Sequence, residues 1–167
     1  MVAALTLALL GLLTQSCRRT PAPAPRAETA PTADTARAAV LAELGRYYDD
    51  FSARDWNAYT SHFWPGATLT TVWTPPGAPV ARVMSLSVPE FVRQTPQGPD
   101  SKPIFEERMT GADLRVIGNL AQAWVRYSAR FGDRDSVITW KGVDAFTLMR
   151  HEGRWRITSL AYTDTPD

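Results

Sequence analysis

From Ile104 to Asp164 the chain is strand-favouring sequence, broken only by turns too short for anything but hairpins. The runs Ile104–Ile117, Leu120–Phe131, Ser136–Arg150 and Arg154–Asp164 are rich in β-branched and aromatic residues. Gly118-Asn119 follows the first run, and His151-Glu152-Gly153 precedes the last. Both suit the backbone of tight hairpin turns. Strands joined this closely pair as antiparallel neighbours, so the C-terminal half is expected to be a meander. Gly111 interrupts the first run and predicts a bulge, which would curve the sheet.

Such a sheet needs cover on its apolar face, and the preceding segment supplies helices. Val40, Leu44, Tyr47 and Phe51 recur at helical spacing, widened by Leu41 and Tyr48. This helix is expected to begin near Asp34, with Thr32 or Asp34 as N-cap. Asp55 is read as the cap of a second, short helix carrying Trp56, Tyr59 and Phe63, stopped by Pro65-Gly66. Ala67–Thr74 reads as a strand ended by Pro75-Pro76-Gly77, and Ala81–Leu86 as its partner. Ser87-Val88-Pro89-Glu90 is a capping box with Pro in the first turn, opening a helix to about Thr95. The expected class is α+β, with helices on one face of a curved antiparallel sheet.

Ahead of the domain, Val2–Leu13 is nearly all apolar but shorter than the roughly 20 residues that span a bilayer. Its length suits the core of a secretion signal. Thr14-Gln15-Ser16-Cys17 follows at once. Segment 1–17 resembles a bacterial lipoprotein signal, in which Cys17 would be diacylated and become the mature N-terminus. Thr14 stands where such signals usually carry Leu. Segment 18–33 is rich in Pro and Ala and has no large apolar side chain to bury, so it reads as an extended tether. The folded domain is expected at 34–165, held at the cell envelope by the lipid.

Several chemistries find no support. Cys17 is the only cysteine, which excludes an internal disulfide. His62 and His151 are far apart, and no metal or cofactor is expected. The formal net charge is +1 and no basic stripe invites nucleic acid. The chain has no phosphate-binding glycine loop, His-Glu-x-x-His or Gly-x-Ser-x-Gly.

Three stretches carry a resemblance. The first runs from Arg46-Tyr47-Tyr48 through Arg54-Asp55-Trp56 to His62-Phe63-Trp64-Pro65-Gly66-Ala67-Thr68-Leu69. The second is Gly118-Asn119-Leu120-Ala121-Gln122-Ala123-Trp124. The third is Gly142-Val143-Asp144-Ala145-Phe146, running into Glu152-Gly153-Arg154-Trp155-Arg156-Ile157-Thr158-Ser159. Together, over Thr35 to Asp164, they resemble the nuclear transport factor 2-like superfamily, also called SnoaL-like or ketosteroid-isomerase-like. The resemblance implies a cone-shaped roll. A curved antiparallel sheet would wrap a long N-terminal helix, with two shorter helices and a cavity at the wide end. It also implies pairing of two copies through the outer face of the sheet, where Trp124, Arg126, Ser128 and Arg130 alternate.

By the same resemblance, Tyr47 matches the helix tyrosine of the isomerase members and Asp144 lies beside their later acid. Their base position falls on Thr71, which takes no proton at neutral pH. Asp144 with Arg126 or Arg156 could imitate the acid–arginine pairing of hydrolase relatives. The expected pocket residues are Tyr47, Trp73, Tyr127, Asp144 and Tyr162. Tyr127 and Tyr162 either bring hydroxyls into the cavity or simply pack. On β alternation Ala123 faces inward and Trp124 outward, and Glu106 and Glu107 take opposite faces as an exposed charged pair. His62 is expected at a helix end, where a cation suits the dipole. The reading favours a non-enzymatic binding module for a small apolar or amphipathic molecule. The alternatives are a SnoaL-like hydrolase or isomerase, and a protein-interaction domain. The segment ending at Cys17 generates a test: full-length protein should enter the detergent phase with a diacylglycerol thioether on Cys17, and Cys17→Ala should release it. An intact mass with a bare N-terminus at another residue would contradict this.

Overall fold

The computed structural model describes residues 32–74 and 77–165. The signal-like segment with Cys17, and the tether as far as residue 31, lie outside the described residues. Helix α1, Ala33–Ala53, starts one residue before the expected position. Thr32 caps it by accepting a hydrogen bond from the Thr35 N–H at 3.3 Å. It ends at Arg54, whose left-handed backbone, φ 59, lets its N–H turn back onto the Phe51 carbonyl. Val40, Leu44, Tyr47, Tyr48 and Phe51 are all buried, as the spacing predicts. Asp55 caps α2, Trp56–Ser61, by accepting from the Ala58 N–H at 2.9 Å.

Phe63 does not belong to α2. It opens β1, Phe63–Trp73. The Pro65-Gly66 pair, expected as a stop, makes an irregularity inside this strand instead. Pro65 has no N–H for the ladder, and Gly66 takes φ 83, which suits a glycine. β2, Arg82–Ser87, pairs antiparallel with β1. Ser87 and Glu90 form the expected capping box of α3, Val88–Gln94. Two single turns, Thr95–Gln97 and Pro99–Ser101, follow. The Trp56 indole N–H holds the second by donating to Asp100 Oδ2 at 3.0 Å. The meander is β3, Ile104–Ile117; β4, Leu120–Asp133; β5, Ser136–His151; and β6, Arg154–Asp164.

The sheet order is β2-β1-β6-β5-β4-β3. One pairing differs from the expected all-antiparallel sheet, because β1 runs parallel to β6. A parallel neighbour needs a long crossover, and the whole chain between β1 and β6 provides it. Among the described residues no helix is long and apolar enough to cross a membrane.

Curvature comes where Gly111 signals it. Met109 faces Tyr127 and Gly111 faces Arg126, so Thr110 is one residue too many for the register. A Cβ on Gly111 would lie 2.8 Å from the Arg126 guanidinium, so glycine permits this close approach. The extra residue changes which parity faces the core. Phe105 and Met109 pack inward before it, and Ala112, Leu114 and Val116 after it.

Helix α1 lies along the concave face. It packs chiefly against β3, and Ala121, Ala123, Val125 and Ala129 of β4 are at most 1% exposed on the same face of the sheet. Trp124 is 61% exposed on the opposite face, so the alternation is as expected. Arg126 is on the same outer face and pairs with Asp113 at 2.6 Å.

His62 ties three elements together at the end of α2. Its Nδ1 lies 2.7 Å from Glu43 and its Nε2 2.8 Å from Asp50, both on α1. Its carbonyl accepts the Ile157 N–H of β6 at 2.8 Å. Burial pulls the imidazole pKa down, but the hydrogen bonds to Glu43 and Asp50 outweigh it and leave it above 6.5. Glu43 is also pushed up by burial, yet His62 and Arg46 bring it below 4.5. The histidine's contribution is complete below pH 6.5 and is lost as pH rises through the raised value. The Glu43 contribution is present above 4.5 and is lost as pH falls through the lowered value. His62→Gln should therefore destabilise most between these limits, by about 2 kcal/mol, less than for a fully buried pair because Asp50 is 34% exposed. Thermal melts of both proteins across pH should show the gap narrowing above neutrality; a constant gap would show that the imidazolium contributes nothing.

Candidate functional site

The C-terminal turns of α1 hold a cluster of aromatic rings. Tyr47 has Tyr48, Phe51, Tyr59, Phe63 and Phe146 around it at centroid distances of 5.1 to 5.9 Å. Beside these rings lies a cavity of about 190 Å³. Tyr47, Phe51 and Tyr59 line it from the helices, and Leu69, Trp140 and Leu160 from the sheet. Phe91 of α3 and Pro99 line it as well.

Into this apolar space the strands bring carboxyl groups. Asp144 of β5 is 3% exposed, and the Tyr48 hydroxyl donates a hydrogen bond to its Oδ2. Burial raises the Asp144 pKa to about 7, and the Tyr48 hydrogen bond offsets only part of that rise. Glu107 of β3 also lines the cavity. Burial, and then the charges of Asp144 and Asp164, push its carboxyl well above the ordinary range. Ser52 of α1 fixes the Glu107 backbone. Its Oγ accepts the Glu107 N–H at 2.9 Å and donates to the Glu107 carbonyl at 2.7 Å. Asp164 of β6 accepts from the Tyr127 hydroxyl at 3.2 Å.

Tyr127 reaches this position by lying across Gly142, its partner on β5. A Cβ on Gly142 would come within 2.2 Å of the Tyr127 hydroxyl oxygen, so only glycine leaves room for the ring. Burial raises the Tyr127 pKa above its ordinary value, with the Glu107 charge adding to the effect. Tyr162 is pushed up to about 12 by burial and then by Asp144. Both phenols are therefore neutral donors near pH 7. The Tyr59 hydroxyl is fully buried behind the cavity wall, beside Tyr47.

Of the five pocket residues expected from sequence, Tyr47, Tyr127, Asp144 and Tyr162 share this cavity. Trp73 does not. It is 42% exposed and lines a second groove of about 350 Å³ with Met84 and Leu86. Phe91, Pro99, Tyr162 and Asp164 border both spaces, so the groove adjoins the cavity. The hydroxyl that holds Asp144 belongs to Tyr48 rather than Tyr47. Thr71 lines the groove and donates to the Tyr162 carbonyl at 2.8 Å. Neither arginine considered as an Asp144 partner reaches it: Arg126 pairs outside with Asp113, and Arg156 lies over Trp64 at 5.1 Å.

Glu107 is the residue that sequence reasoning placed wrongly, as half of an exposed pair. Only Glu106 takes that role, pairing outside with Arg108. The signal was present in Phe105-x-Glu107-x-Met109, where two apolar neighbours share the inward face ahead of the bulge. Among the described residues no three His, Cys, Asp or Glu side chains are placed to hold a metal ion.

No family model matches the sequence, and no curated protein does. Solved structures match by shape. One is a nuclear transport factor 2 superfamily protein from Salmonella enterica, 15% identical, with TM-score 0.64 over 80% of this chain and 94% of that one. Another is a protein of unknown function with the same type of fold from Silicibacter pomeroyi, 19% identical, with TM-score 0.58 over 80% of this chain and 99% of that one. A protein of unknown function from Mycobacterium tuberculosis is 13% identical, with TM-score 0.63 over 78% of this chain and 72% of that one.

The buried acid should show itself in stability. Asp144 binds its proton more tightly folded than unfolded, so stability falls as pH rises from 3.8 to about 7. Asp144→Asn should match the parent near pH 4 and exceed it at pH 8 by about a few kcal/mol. Urea titrations at both pH values measure this, and equal differences at the two would mean the carboxyl titrates normally.

Proposed function

The chain has the nuclear transport factor 2-like fold, and from the cavity this fold encloses here we propose that the domain binds a small, largely apolar molecule. The observation that carries this reading is the Asp144 carboxyl, 3% exposed and held by Tyr48 within an aromatic cavity that adjoins an outer groove. Binding pockets are typically mostly apolar, with a few placed polar groups that orient the ligand. The inner space of about 190 Å³ suits a compact ligand. A molecule of steroid or polyketide size would have to extend into the groove. We place the domain at the cell envelope, tethered through a lipid on Cys17.

A second reading is catalytic. A carboxyl with a pKa near 7 can both give and take a proton at neutral pH, and such groups are frequent at active sites. Asp144 and Glu107 would share that work, with neutral Tyr127 or Tyr162 polarising a substrate oxygen. This arrangement differs from the isomerase pattern, which needs a carboxylate at Thr71, and from an acid–arginine hydrolase pair. Simple proton transfer is the reaction class it supports.

Gly142→Ala separates a working cavity from a structural one. The new methyl group drives the Tyr127 ring off its seat, at a cost of about 1–3 kcal/mol in stability. Mass spectrometry of natively purified protein should find a small molecule on the parent and none on the folded variant. Retention of the same ligand by the variant, or an empty parent that no amphipathic compound stabilises, would overturn the proposal.

A further inference from the structure

The cavity wall has a one-sided charge character. Its polar side chains include the carboxyls of Glu107, Asp144 and Asp164 and the hydroxyls of tyrosines, and among the described residues no Lys, Arg or His lines either the cavity or the groove. An anionic ligand would find no opposite charge in the lining and would have to keep Asp144 and Glu107 protonated. A neutral apolar ligand leaves both acids protonated and makes no use of them. A positive charge is the complement that uses both. The walls suit one, because aromatic rings attract cations and Tyr47, Tyr59, Tyr127, Trp140 and Tyr162 border the space.

Resting on the binding function proposed above, we infer that the ligand is an organic cation. It would be an amine or quaternary ammonium with a short apolar body, its nitrogen facing Asp144 and Glu107 and its body among the rings. The nitrogen would replace the proton that otherwise neutralises these acids. Binding a fixed cation therefore releases protons, and affinity tightens as pH rises through about 7. The groups facing Asp144 that set this dependence are Tyr48 of α1, Glu107 of β3, Tyr127 of β4, and Tyr162 and Asp164 of β6. Tyr47 and Tyr59 face it from the helices and stay neutral, because burial raises both phenols.

The test uses the purified full chain with two probes: choline, and its uncharged carbon isostere, in which carbon replaces nitrogen. Tryptophan fluorescence and thermal shift follow binding at pH 6 and pH 8.5. Choline should bind at least tenfold more tightly than the isostere and tighten further at the higher pH. Glu107→Gln, and separately Asp144→Asn, should weaken choline at least fivefold and leave the isostere unchanged. Equal binding of the two probes would overturn the cation while leaving the binding function standing. Binding of neither, alongside a failure of neutral amphipathic compounds, would remove the binding function and the cation together. A loss of both probes in the folded Glu107→Gln protein would mean that Glu107 only shapes the wall, and would also overturn the inference.

Discussion

The buried stripe of α1 changes in size along its length, and the sheet has to follow that change. Ala36, Val40 and Leu44 keep the first part of the stripe narrow, and Tyr47, Tyr48 and Phe51 widen its last turns. The helix rests on β3 at both ends: Arg37 donates to the Leu114 carbonyl, and Ser52 bonds the Glu107 backbone. The wide aromatic end packs against Phe146 of β5, and the cavity lies beside it. The bulge at Thr110 bends β3 around the wide end.

Much of this was legible because periodicity is local. The helix stripe, the Ser87 capping box, the hairpins and the Gly111 irregularity each depend on residues close in sequence. What escaped depends on distant partners. The parallel pairing of β1 with β6 joins the start of the sheet to its end, and no local pattern announces it. Phe63 fitted the helix spacing, but a bulged strand begins there because Gly66 can take a positive φ. His62 looked like a simple helix-end cation. Its two carboxylate partners lie on another helix, and only folding brings them together.

The site was legible in the same uneven way. Asp144 stood out as a charged residue among apolar strand neighbours, and Tyr127 shares the inward parity of Ala123, while the role of Tyr162 was left open between cavity and packing. Glu107 was hidden by the adjacent Glu106 and Arg108, which gave it the look of surface sequence. Trp73 was assigned to the inner wall because it is large and apolar, but it lies on an edge pair of strands outside the enclosed space. Choosing between Tyr47 and Tyr48 as the donor to Asp144 needs the rotation of α1 over the sheet, which spacing alone leaves open.

The placement of the cavity along α1 also sets an orientation. The helix begins at Ala33 and reaches the cavity at Tyr47. At about 1.5 Å per residue the two points lie roughly 20 Å apart along the axis. A chain held by its N-terminal end would carry the cavity at the far end of this rod, away from the point of attachment. A guest would then enter about four helical turns away from the end of the domain at which the chain comes in.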